Sequence, residues 1–203
     1  MKSILDMYLN ESFILNDEDI YINFDKWKKN TENNVLFITG LSGSGKSTLA
    51  EQLSDSKNAI MFEIDGIEYN YDSSNKGILN KILKKFPEYK DRTNNYKLYQ
   101  KILDEVLSYM YNDKNHLYIV EGIQIFQWFK PEDFISEPII IKNTSFCNSL
   151  INRFRRNGHG KVELRKELQN EFLNLLDLYM EHNKMINRFK RDLKKGVKYD
   201  RRK

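Results

Sequence analysis

Apolar residues along the chain follow two kinds of pattern. Short apolar stretches predict strands that are buried on both faces, as in a parallel sheet. They are residues 35–39, 59–64, 117–120 and 138–142. Elsewhere apolar residues recur every three or four positions, which predicts helices. These helices are 47–53, 77–86, 93–111, 145–156 and a long amphipathic stretch from 164 onward. Strands that alternate with helices predict an α/β fold with a parallel sheet of about four to five strands, flanked by helices and followed by a helical C-terminus.

The segment in front of the first long strand predicts a hairpin. Residues 12–15 are largely apolar, a polar turn follows at 16–19, and residues 20–24 alternate apolar and polar side chains. The second of these strands has an alternative place at an edge of the main sheet. Residues 25–34 are polar and predict a linker. The predicted organisation is an N-terminal hairpin extension and linker over 1–34, a main domain over 35–183 and a basic C-terminal helix or tail over 184–203.

Charge is distributed unevenly along the chain. Residues 184–203 hold ten Lys or Arg against two Asp, a net charge of +8, whereas the whole chain carries +4. Residues 1–183 therefore carry a net charge of −4. A basic tail of this kind predicts contact with a polyanion or nucleic acid, and the alternative is a solvated helix face.

Cysteine, histidine and hydropathy exclude several classes of protein. A single cysteine, Cys147, cannot form an internal disulfide, and three scattered histidines lack the spacing of a zinc site. No apolar run approaches the ~20 residues that a bilayer requires, and polar residues interrupt any secretory signal near the N-terminus. The sequence thus predicts a soluble, cytoplasmic protein. It does not predict the oligomeric state.

The strongest chemical signal is the octapeptide at 40–47, Gly-Leu-Ser-Gly-Ser-Gly-Lys-Ser, which fits G-x-x-x-x-G-K-[ST]. It lies between a predicted strand and a predicted helix, where glycine lets backbone N–H groups point at a phosphate. Lys46 supplies charge to the β- and γ-phosphates, and Ser47 supplies a hydroxyl to Mg²⁺. The sequence therefore predicts that ATP and Mg²⁺ are bound. The predicted nucleotide-binding residues are Gly40, Ser42, Gly43, Ser44, Gly45, Lys46, Ser47 and Thr48.

Two acids follow the next strands. Asp65-Gly66 ends the second predicted strand and Glu121-Gly122 ends the third. The base-reading motif NKxD of GTPases is absent, and no second acid follows Glu121 as it does in ring or transporter ATPases. Together with residues 40–47, these strand ends resemble the uridine-kinase-like branch of the P-loop kinases, over roughly residues 35–160.

The resemblance implies roles for particular residues. It implies that Asp65 accepts a proton from a substrate hydroxyl and that Glu121 supports Mg²⁺ or the acceptor. It also implies a helical lid near 150–163, whose Arg153, Arg155 and Arg156 precede a glycine-containing break at 157–160. The predicted catalytic residues are thus Lys46, Asp65, Glu121, Arg153 and Arg156, and Ser47 and Glu121 are the predicted metal ligands. The alternatives are a solvated turn for each acid and a solvated helix for the arginines.

A base at residue 65 favours a hydroxyl as the acceptor. Transfer to an alcohol benefits from a base, whereas transfer to a phosphate needs cationic groups instead. The sequence therefore predicts an ATP- and Mg²⁺-dependent kinase that phosphorylates a hydroxyl of a small molecule, such as a nucleoside or nucleotide sugar. Two alternatives stay open at this point: a kinase that acts on nucleic acid, suggested by the basic tail, and a regulatory module that binds ATP without turnover.

Overall fold

A five-stranded sheet forms the centre of the protein in a computed structural model that describes residues 19–28, 33–69, 76–91, 95–156 and 161–200. The sheet order is β1-β5-β2-β4-β3. The strands are β1 (Ile20–Ile22), β2 (Val35–Gly40), β3 (Ile60–Glu63), β4 (Tyr118–Glu121) and β5 (Ile139–Lys142). The last four pair in parallel, and β1 pairs antiparallel with β5 at the edge. The predicted α/β fold is confirmed, with one antiparallel edge strand.

Helices cover both faces of the sheet. They are α1 (Phe24–Lys28), α2 (Lys46–Lys57), α3 (Asp65–Tyr69), α4 (Lys76–Leu83), α5 (Tyr96–Asn112), α6 (Gln124–Trp128), α7 (Phe146–Arg156) and α8 (Lys161–Asp200). Two 3₁₀ turns, η1 (Pro87–Asp91) and η2 (Pro131–Phe134), complete the described elements. The helices that the periodicity predicted are present, with ends that differ by a few residues.

Strand β2 is buried along its whole length because it lies between two cores. Leu36 and Ile38 face Trp27 and the apolar residues of α2. Val35 and Phe37 face the opposite way and pack in the core that includes α5. This is the alternation expected of a strand whose two faces are both covered, and it explains the unbroken apolar run in the sequence.

The N-terminal segment differs from the predicted hairpin and linker. Residues 12–18 lie outside the described part of the chain, and 20–22 form β1 at the sheet edge, the alternative placement for the second strand. Phe24 begins α1 rather than continuing the strand, because the chain turns at Asn23, which has φ of +50° and donates to the carbonyl oxygen of Ile135 at 2.8 Å. The predicted linker therefore contains a short helix, which the fully buried Trp27 holds against the sheet.

The basic C-terminal segment continues α8. The helix runs through residue 184 without a break, so the predicted boundary there matches no change in the backbone. Ile186, Phe189 and Leu193 are buried in the same core as β2 and α5. The ring of Phe189 lies 5.8 Å from that of Phe134 in η2. The segment thus belongs to the packed domain at least as far as Leu193.

Parallel pairing brings the carboxyl ends of β2, β3 and β4 to one edge of the sheet. Gly40 ends β2, Glu121 ends β4, and Asp65 begins α3 two residues after β3. The backbone N–H of Ile64 donates to the carbonyl oxygen of Glu121 at 2.8 Å, which keeps the ends of β3 and β4 side by side. The residues that the sequence marked for chemistry therefore meet at the edge where ligands bind in parallel α/β sheets.

Candidate active site

The loop between β2 and α2 has the backbone shape of a phosphate cradle. Gly43 and Gly45 have φ of +74° and +82°, a region that favours glycine. A Cβ on Gly43 would lie 2.5 Å from the carbonyl oxygen of Ser149, so no other residue fits there. The first turn of α2 contains no acidic residue and no capping side chain. Its N–H groups and the positive end of its dipole are therefore suited to an anion.

Lys46, the first residue of α2, forms an ion pair with Glu121 at the end of β4. The Nζ–Oε1 distance is 3.5 Å, and the side chains are only 12% and 7% exposed. Burial raises the pKa of the Glu121 carboxyl; Lys46 opposes the shift, and nearby Asp65 and Glu63 add to it. Lys46 is thereby held beside the loop, and Glu121 supplies a buried carboxylate next to the place where a phosphate would bind.

Asp65 is held by a glutamine that the sequence analysis missed. Gln124, the first residue of α6, is 4% exposed. Its Nε2 donates to Oδ1 of Asp65 at 2.6 Å and lies 3.4 Å from Oε2 of Glu68. Among the described residues, this amide contacts only one of the two carboxylate oxygens of Asp65. The available signal was the position of Gln124, three residues after the strand-end acid.

Gly122, and not a second acid, follows Glu121, and its position is tightly packed. A Cβ at this position would lie 2.7 Å from Oε1 of Gln124 and 3.0 Å from Cβ of Ile64. The backbone is fixed on both sides, since its N–H donates to the Ile38 carbonyl at 3.2 Å and its carbonyl accepts from Oγ1 of Thr39 at 2.8 Å. A larger residue here would therefore displace the side chain of Gln124, which holds Asp65.

Helix α7 lies directly against the phosphate loop. Oγ of Ser149 donates to the carbonyl of Ser42 at 2.6 Å, and Nδ2 of Asn152 donates to the carbonyl of Gly43 at 2.8 Å. These contacts engage two loop carbonyls, and the N–H of Ser44 donates to the carbonyl of Leu41 at 3.1 Å within the loop. Neither Ser149 nor Asn152 was predicted from the sequence. Arg153, Arg155 and Arg156 follow on the same helix, and their side chains and the predicted break at 157–160 lie outside the described residues.

Replacing Asn152 with alanine is expected to weaken ATP binding by about 2- to 10-fold, because one hydrogen bond that shapes the loop is worth about 0.5–1.5 kcal/mol. Titration calorimetry with ATP measures the change. Asn148→Ala, an exposed change on the same helix, is the control and should leave the Kd unaltered. Equal affinities for the two variants would contradict a role of α7 in shaping the loop.

The donor set at this edge fits Mg²⁺ bound together with a nucleotide. Within the part of the chain that the structure describes, no three His, Cys, Asp or Glu side chains cluster as a metal site would require. Mg²⁺ commonly takes one or two protein ligands and completes its shell with phosphates and water. Ser47 at the start of α2 and Glu121 would supply the protein ligands, as the sequence predicts.

Comparison with protein families decides the class of this site. A family model described as an AAA domain matches residues 29–152, which include β2, the phosphate loop and both strand-end acids. The chain belongs to the AAA-domain family. It is therefore a P-loop NTPase, and membership implies that the domain binds and hydrolyses ATP. Among curated proteins, none matches the chain at a significant level. The kinase branch that the sequence resembles is a finer assignment and stays a prediction.

The basic segment of this AAA-domain protein is partly neutralised where it is described. Lys190 is buried, with 7% of its surface exposed. Arg188, Arg191 and Lys195 each lie within 4 Å of the Asp192 carboxylate. Contact of this segment with a polyanion stays a prediction. Over the described residues, no helix has the length and apolar character needed to cross a bilayer.

Proposed function

We propose that this AAA-domain protein transfers the γ-phosphoryl group of ATP to a hydroxyl of a small molecule, such as a nucleoside or nucleotide sugar. The observation that carries the proposal is the Asp65 carboxylate, which Gln124 holds at the edge beside the Lys46–Glu121 pair. A carboxylate fixed in this way can receive the proton that a hydroxyl loses as it attacks phosphorus.

Each group at the edge has a distinct task in this reaction. The loop N–H groups and Lys46 bind the phosphates and meet the charge that develops on the transferred group. Asp65 takes the proton of the attacking hydroxyl. Arg153 and Arg156, one helical turn beyond Ser149 and Asn152, would bring guanidinium groups over the phosphoryl group when the lid closes. Ser47 and Glu121 would hold Mg²⁺, which would supply positive charge to offset that of the phosphates.

The surroundings of Glu121 favour transfer to an acceptor over hydrolysis. A second acid after Glu121 could activate water, but in this chain the residue after Glu121 is glycine. Asp65 lies at the end of a different strand and is partly exposed, so a hydroxyl can reach it. In the proposed reaction, the ATP hydrolysis that family membership implies would be slower than transfer when an acceptor is present.

The proposal is tested by following the γ-phosphoryl group. The protein is incubated with ³²P-labelled ATP, Mg²⁺ and pools of nucleosides, nucleotide sugars or oligonucleotides, and the products are identified by mass spectrometry. We expect a phosphorylated small molecule, formed much faster than inorganic phosphate. Inorganic phosphate as the sole product, at a rate unchanged by every pool, would contradict the proposal and favour an ATPase. A labelled oligonucleotide would favour the nucleic-acid kinase.

Glu121→Gln is expected to lower the transfer rate and raise the Mg²⁺ concentration required, because a charge that supports the metal is lost. Since burial raises the pKa of Glu121, the wild-type rate should fall as pH drops through that raised value, above the usual range of a carboxyl. The variant should lack this acid limb, and excess Mg²⁺ should partly restore its rate. Rates measured across pH and Mg²⁺ concentration check both effects. Identical pH profiles for the wild type and the variant would contradict a role of Glu121 at the metal site.

A further inference from the structure

A cavity of about 460 Å³ lies on the α5 face of the sheet, between α5 and residues 128–137. Neither residues 40–48 nor the acids Asp65 and Glu121 lie among the described residues that line it. It is therefore separate from the phosphate-binding edge. Its volume falls within the range of roughly 300–1,000 Å³ found for small-molecule sites.

The floor and one wall of the cavity are aromatic. Phe37 and Phe134 form the floor and are 2% and 1% exposed, with ring centroids 5.0 Å apart. Phe129 packs on Phe134 at 5.7 Å, and the half-buried Trp128 stands beside it. A cluster of ring faces and edges of this kind offers an apolar surface and attracts cations through the negative faces of the rings.

The polar lining carries a single sign of charge. Asp104 on α5, Asp133 in η2 and Glu137 contribute three carboxylates, and the described lining contains no Lys, Arg or His. Asp133 accepts from the backbone N–H of Lys130 at 2.9 Å, and Glu137 accepts from Nδ2 of Asn33 at 3.2 Å and from the hydroxyl of Tyr111. Asp104 is exposed and has no ion-pair partner among the described residues.

We propose that this cavity is a second ligand site, which takes an organic cation: an ammonium or guanidinium group on an apolar body. The apolar body would cover Trp128 and Phe129, the partly exposed rings of the wall, where it replaces water on their surface. The positive group would lie at the rim beside Asp104, where the carboxylates attract a cation and repel an anion. The aromatic rings and the carboxylates of the lining therefore favour the same kind of molecule, one with an apolar body and a positive group.

The test uses the full chain and three ligands that differ chiefly in charge: 3-phenylpropylamine, 3-phenylpropanol and 3-phenylpropanoate. Binding is followed by titration calorimetry and by the fluorescence of Trp128, while the fully buried Trp27 gives a constant background. The amine is expected to bind at least about tenfold more tightly than the alcohol, and the carboxylate more weakly than either. Equal binding of amine and carboxylate, or no binding of the amine at 10 mM, would overturn the proposal.

Two variants locate the cation within the protein. Asp104→Asn removes one rim charge at an exposed position and should weaken amine binding about 3- to 10-fold while leaving the alcohol unchanged. Glu105→Gln, the adjacent acid on α5, pairs with Lys85 and is the matched control with no expected effect on the amine. Unaltered amine affinity in Asp104→Asn would contradict the assigned site.

Competition with ATP separates this cavity from the phosphate-binding edge. Saturating ATP and the substitution Lys46→Ala should each leave the amine affinity unchanged, because no residue of the phosphate loop lines the cavity. Displacement of the amine by ATP would refute a separate site. This outcome is independent of whether the protein acts as a kinase, since binding is measured without turnover.

Discussion

Replacing Lys46 with alanine is expected to abolish phosphoryl transfer, with the rate falling by at least about 10³-fold. The loop would then lack the full charge that meets the γ-phosphate as it moves, and the backbone N–H groups cannot replace it. Single-turnover measurement with ³²P-labelled ATP gives the rate of the chemical step directly. A well-folded variant with full activity would rule out the phosphate-loop assignment.

The same substitution also tests the buried ion pair. Lys46→Ala leaves Glu121 buried without its cation, which should lower the free energy of unfolding by about 1–3 kcal/mol at neutral pH. Adding Glu121→Gln removes the unpaired charge and should recover most of that stability without recovering any activity. Urea unfolding of the single and double variants separates the two effects. Lys57→Ala, at the far end of α2, is the control, because it also removes a lysine but breaks no ion pair among the described residues.

Asp65→Asn is expected to lower kcat by roughly 10²- to 10⁴-fold while ATP affinity barely changes. Asparagine keeps the shape of the side chain, and its oxygen can still accept from Gln124, but it cannot take a proton from a hydroxyl. The rate comes from steady-state kinetics with the acceptor found in the labelling experiment, and ATP affinity comes from calorimetry.

Glu68→Gln is the matched control for Asp65, since Gln124 also approaches the Glu68 carboxylate. Its effect on kcat should stay below about tenfold if Asp65 is the base. A near-wild-type rate for Asp65→Asn would mean that the acceptor needs no base, which would favour a phosphate as acceptor. Similar large losses of kcat in both variants would instead indicate that Asp65 and Glu68 act together as the base.

The sequence predicted the sheet and the loop well because both depend on local signals. A parallel strand buried on two faces must be apolar at every position, so β2 and β4 stand out without any knowledge of their neighbours. The positive φ of the phosphate loop at Gly43 favours glycine whatever packs against it, and Lys46 follows at fixed spacing. The shared edge then followed from parallel pairing.

The supporting residues could not be predicted in the same way. Gln124 contacts Asp65 across 59 positions, and Asn152 contacts Gly43 across 109. In the sequence each is an ordinary amide that could equally face solvent, and only the folded chain brings it to its partner. The burial of Trp27 could not be predicted for a related reason, since a single aromatic residue in a polar stretch shows no periodicity.

Net charge was a poor guide to the C-terminal segment. A count of Lys and Arg does not distinguish a solvated tail from a helix whose other face is packed. Ile186, Phe189 and Leu193 recur at helical spacing and bind the segment to the core, while the basic residues take the remaining positions. Periodicity therefore outweighs composition when the two disagree about a terminal segment.

The continuity of α8 connects the core to Lys161, the first residue of the helix, which follows the predicted lid in the sequence. A described contact closer to that end is Tyr179, whose hydroxyl donates to the carbonyl oxygen of Thr144 at 2.7 Å and whose ring lies 5.2 Å from that of Phe146. Tyr179 and Lys161 are 18 positions apart, or about 27 Å along the axis. A tilt of about 10° at Tyr179 would therefore move the Lys161 end by about 5 Å, so a small change in packing beside α7 becomes a larger displacement at the start of α8.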